Sequence, residues 1–121
     1  MRITEMQSGP HALYSLAGTI LSVGDISIDL FAEQDDTQRI IDICADKNGA
    51  LTRGIGEAYV VNVLIPPAHY VDVPTGENDE DGRPVYIPEK QPLDTERVEL
   101  LLWRYAKPVT QPQTGTITEE E

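Results

Sequence analysis

The sequence predicts an all-β fold: a small antiparallel β-sandwich or partly open β-barrel of about six to eight short strands. Three observations carry this. Ala58-Tyr59-Val60-Val61-Asn62-Val63-Leu64-Ile65 is an apolar run rich in β-branched residues, closed by Pro66-Pro67 and too short for a typical helix. Thr19-Ile20-Leu21-Ser22-Val23 and Ile26-Ser27-Ile28-Asp29-Leu30 flank Gly24-Asp25, a two-residue hairpin signal. His69-Tyr70-Val71-Asp72-Val73 and Pro84-Val85-Tyr86-Ile87-Pro88 form a second alternating pair around a polar loop.

Residues 1–10 have no periodicity and end in Ser8-Gly9-Pro10, so they read as a flexible N-terminal arm. In the first hairpin, Gly24 supplies the positive φ that a type II′ turn needs at its first position. That register pairs Val23 with Ile26 and Leu21 with Ile28 on one face, and Ser22 with Ser27 on the other. Glu33-Gln34-Asp35-Asp36 is a break.

Arg39 to Ala45 and Ala50 to Arg53 flank Asp46-Lys47-Asn48-Gly49, which closes a four-residue hairpin turn and sets Asp42 opposite Arg53. A helix over 37–47 is the rival, with Asp36 as cap and Gly49 as stop. The three isoleucines Ile40, Ile41 and Ile43 favour a strand. Gly54-Ile55-Gly56 reads as a bulge or bend and lacks the third glycine and following helix of a nucleotide-binding loop. Residues 58–65, apolar on both faces, are expected at the sheet centre, buried on both sides.

The prolines that flank the second hairpin mark edge strands, and its acidic tip reads as mobile. Residues 94–106 fit either a helix capped by Asp94 or a strand beside 58–65, and the β context favours the strand. Residues 107–121, rich in Pro, Thr, Gln and Glu, read as a flexible acidic C-terminal tail. The domain organisation expected is thus one β domain over 11–106 between two tails.

The chain has 121 residues and a net charge of −12. That charge opposes direct nucleic-acid binding, which needs basic residues to displace counterions, and opposes anionic membrane surfaces. It suits basic protein partners or simply solubility. No run reaches the roughly 18 apolar residues of a membrane span, and Glu5 stands where a signal peptide would be basic. A soluble protein is expected, made in the cytoplasm or incorporated into a particle.

The residue inventory points away from an enzyme. Cys44 is the lone cysteine and reads as a small core hydrophobe. His69 and Asp72 fall on opposite faces of a strand, and His11 stands alone. No Gly-x-Ser-x-Gly occurs, and two histidines with one cysteine do not make a zinc site. No cofactor is expected. Glu77, Asp79 and Asp81 alternate before Gly82 as in half of a calcium loop, but Pro88 stands where the bidentate glutamate belongs, leaving them weak metal candidates. Tyr70 and Tyr86, on one hairpin, are the candidate partner-binding pair.

The function expected is therefore a non-catalytic structural or protein-binding module. It would act among other protein subunits in a larger homo- or hetero-oligomeric assembly, with a virion or phage-type particle as one setting that fits. The alternative is an acidic inhibitor that imitates nucleic acid and occupies the basic groove of a DNA- or RNA-binding protein.

Overall fold

A computed structural model describes residues 1–106; the tail expected at 107–121 lies outside the described residues. The fold is all-β. Among the described residues the strands are β1 (Arg2–Glu5), β2 (Tyr14–Ala17), β3 (Ile20–Val23), β4 (Ile26–Asp29), β5 (Arg39–Ala45), β6 (Leu51–Arg53), β7 (Ala58–Ile65), β8 (Tyr70–Asn78), β9 (Pro84–Lys90) and β10 (Glu99–Leu102), with a short helix α1 (Leu30–Glu33) after β4. These ten exceed the six to eight expected. They form a five-stranded sheet in the order β1-β10-β7-β5-β6, a three-stranded sheet β2-β3-β4 and a separate pair β8-β9.

β7 is the middle strand of the large sheet, as its apolar run predicts. Val61, Val63 and Ile65 meet Ile41, Ile43, Leu100 and Leu102 on one face, and Leu21, Val23, Ile28 and Leu30 complete the same buried cluster. The expectation of burial on both sides holds for only part of the strand. On the outer face Asn62 is buried, but Leu64 is half-buried and Tyr59 exposed, because among the described residues no second layer covers them. The β5–β7 register skips Val60 between Ile43 and Cys44, a bulge that turns Val60 and Val61 both into the core.

The β3–β4 hairpin has the register read from the sequence: Val23↔Ile26, Ser22↔Ser27 and Leu21↔Ile28. Gly24 has φ +59°, the conformation that favours glycine, and a Cβ built there would also stand 2.6 Å from Leu51 Cδ1, so that side chain would have to move aside. β2 adds on the far side of β3.

Two expectations are corrected. Residues 2–5, expected in a flexible arm, form β1, which runs parallel to β10 and makes the sheet mixed rather than wholly antiparallel. Its four residues are not buried, so no apolar pattern marks it. Backbone pairing holds it, reinforced where Glu99 accepts from Arg2 at 3.1 Å and from Thr4 Oγ1 at 2.7 Å.

Second, Arg53 lies opposite Ile43, not Asp42. Asp46 stays in the turn, where its Oδ1 accepts from the backbone N–H of Asn48 at 2.8 Å and Ala50 at 2.9 Å, which lengthens the loop by one residue. Arg53 instead joins Arg39 on Glu33, at 2.8 and 3.1 Å. The strand favoured over the rival helix at 37–47 is β5. The strand favoured within 94–106, beside 58–65, is β10, which pairs with β7 after a single 3₁₀ turn, Thr95–Arg97. No helix among the described residues is long and apolar enough to cross a membrane.

Candidate functional site

Beyond Ile65 the chain leaves the body as the β8–β9 hairpin. Its strands pair from Tyr70↔Lys90 to Pro74↔Tyr86, then shift register before Asn78↔Pro84. Its root is tied to the segment after β4. Ala68 N–H donates to Asp35 O at 2.7 Å, and Gln34 Nε2 donates to the carbonyls of Pro66 and Pro67, each at 3.2 Å. Lys90 donates to Phe31 O with its ammonium 4.0 Å from the Phe31 ring centroid, a cation–π contact. Beyond this root the hairpin stands clear of the core.

Strand alternation divides its side chains into two faces. Tyr70, Pro74, Tyr86 and Pro88 share one; Val71, Val73, Val85 and Ile87 share the other. The two tyrosines singled out in the sequence thus lie on one face, apart from each other along its length. Tyr70 is 45%, Val71 43%, Tyr86 55% and Ile87 51% exposed, so large apolar groups on both faces meet solvent. An isolated two-stranded hairpin is marginal in water and ordinarily needs a packed face to persist.

The tip carries Glu77, Asp79, Glu80 and Asp81. The expected mobile tip is hydrogen-bonded: Asp79 Oδ1 accepts from the N–H of Asp81 and of Arg83, both at 2.9 Å, and Asp79 N–H donates to Arg83 O at 2.8 Å. Asp79 is thus committed to shaping the turn. Among the described residues no group of three or more His, Cys, Asp or Glu side chains could hold a metal ion. His69 precedes β8, where its carbonyl accepts from Gln91 N–H at 2.7 Å, and His11 is bound to the Gln7 carbonyl, also at 2.7 Å.

The outer face of the large sheet holds a polar chain that the sequence did not announce. Trp103 Nε1 donates to Asn62 Oδ1 at 2.6 Å, and Asn62 Nδ2 donates to Asp42 Oδ1 at 2.8 Å. The Tyr59 ring lies 5.6 Å from that of Trp103. The three polar residues are far apart in sequence and meet only because β5, β7 and β10 are neighbours. Beside them Asp42, Cys44, Ile55 and Tyr59 help line a cleft of about 410 Å³. Cys44 is buried and unpaired, outside the main cluster. Burial raises its thiol pKa and the Asp42 charge adds to this, while the Gly56 backbone opposes them. Such a thiol is a poor nucleophile at neutral pH.

A second hollow, about 760 Å³, opens where Tyr105 crosses to Gly49. The phenol donates to the Gly49 carbonyl at 2.5 Å. Burial raises its pKa, followed by the charges of Asp25 and Asp46. Neither hollow gathers a nucleophile, a base and an oxyanion donor. Comparison with protein-family models, curated proteins and solved structures found no match.

Proposed function

We propose that this chain is a non-catalytic protein-binding module that works within a larger multi-subunit assembly, and that the β8–β9 hairpin is its contact arm. The observation that supports this most is the exposure of Tyr70, Val71, Tyr86 and Ile87 on a hairpin that, among the described residues, has no apolar layer against it. Contiguous exposed apolar surface rimmed by polar residues marks interaction sites. The arm's aromatic and aliphatic side chains on a hydrogen-bonded frame suit anchoring in a partner's pockets. A virion or phage-type particle is a setting that fits this reading.

The test replaces residues 71–89 by a short Gly-Ser turn, which keeps Lys90 at the root. The expected result is an unchanged melting transition with loss of association in the cells that make the protein, read by sedimentation of native extracts. Retention in the same large particle would overturn the proposal. A collapsed melting transition would show that the arm belongs to the folding unit, against its assignment as a contact element.

A further inference from the structure

We infer that the arm is inserted between two apolar walls of a basic cleft on a different protein, rather than laid flat on a surface; this rests on the reading of the arm as a contact element. A strand pair that packs on one surface needs one apolar face, the other being free to carry polar residues. This arm has two largely apolar faces: Tyr70, Pro74, Tyr86 and Pro88 around Asp72 on one side, and Val71, Val73, Val85 and Ile87 beside Glu89 on the other. Laid flat, it would leave one set in water.

The edges argue the same way. Pro74 in β8 and Pro84 and Pro88 in β9 remove amide donors, which makes extension by strand addition poor. The contact must therefore run through the faces. The regular ladder runs over the five residues Tyr70 to Pro74, roughly 17 Å at about 3.3 Å each, and the tip reaches beyond it, a depth suited to a cleft.

Charge identifies the occupant. Residues 70–90 hold Asp72, Glu77, Asp79, Glu80, Asp81 and Glu89 against Arg83 and Lys90. Lys90 is spent at the root on Phe31, so the leading end of the arm is strongly acidic. A second copy, from a chain of net charge −12, would oppose that end. A cleft carrying lysine or arginine at its floor would attract it.

The experiment places the photo-reactive residue benzoylphenylalanine at position 86 or 87 of the full chain, made in its native cells and irradiated there. The expected result is that both positions crosslink to one non-self protein of basic charge, at two different segments. With that protein purified, Tyr86→Ser and Ile87→Ser should each weaken binding roughly tenfold or more. The pair Glu77→Gln and Glu80→Gln should weaken it about tenfold and flatten its salt dependence. Crosslinks from one position alone would overturn insertion but leave the arm as a contact element. Crosslinks to a second copy, or to an acidic protein, would overturn the partner's chemistry. No crosslink from either position would remove both this inference and the proposed function beneath it.

Discussion

The β3–β4 and β8–β9 hairpins share one pattern of alternation, yet one is core and the other is not. In β3–β4 the buried apolar residues fall on a single face, where Leu21, Val23 and Ile28 pack against the five-stranded sheet. The other face carries Ser22, Ser27 and Asp29, with Ile20 its one apolar residue and exposed. In β8–β9 the apolar residues occupy both faces, between acids and prolines, and neither face reaches the core. Alternation specifies a strand; the distribution of apolar groups over its two faces decides what can cover it.

The comparison predicts a gradient of effects. The largest belongs to the core: Ile28→Asp or Val63→Asp should abolish the cooperative melt by circular dichroism. An unpaired buried carboxylate costs several kcal/mol, against a total stability of about 5–15 kcal/mol. A folded Ile28→Asp protein would mean that the two hairpins do not differ as described.

The outer sheet face is intermediate. Asn62→Ala leaves Trp103 Nε1 without its acceptor and Asp42 without its donor. The expected loss is about 1–3 kcal/mol in urea unfolding, with a shift in tryptophan emission as the indole changes partner. Wild-type stability would show that water replaces the amide fully.

Alkaline pH should have a smaller effect on the same body. The Cys44 and Tyr105 pKa values are both raised in the folded state, so the native protein holds these protons when the unfolded chain has begun to lose them. Stability is therefore fully present below the ordinary thiol value of 9.0 and declines as pH rises above it, then further above the phenol value of 10.0. Cys44→Ala should remove the first part of that slope and Tyr105→Phe the second; slopes unchanged by either would assign the loss to other groups.

The smallest effect sharpens the comparison most. Ile87→Asp on the arm, chemically the same change as Ile28→Asp, should alter stability by no more than about 0.5 kcal/mol, since no core contact is lost. A loss of several kcal/mol would place the arm's apolar face within the folding unit.

Much of the fold was legible in local chemistry. Gly24-Asp25 with matched apolar positions defined the β3–β4 register, because only one pairing puts Leu21, Val23, Ile26 and Ile28 on one face. The run Ala58–Ile65 identified the central strand by length, β-branching and its proline stop. The second hairpin was read from its alternation and polar loop, while the pairing register alone placed Tyr70 and Tyr86 on one face. The sequence by itself thus determined most of the strands and what each could present, though not β1 or β2.

Tertiary structure decided what each strand would meet. β1 has no apolar signature, since backbone pairing with β10 needs none. The Asp42–Asn62–Trp103 chain joins residues 20 and 41 positions apart, and only the β5-β7-β10 order brings them together. The fate of the arm is of the same kind. Its alternation is local, but its exposure depends on the body having filled its core with β3, β4 and α1, which among the described residues leaves β8 and β9 no apolar layer to pack against. Burial is a property of the pair of surfaces that meet, and a strand's sequence describes only one of them.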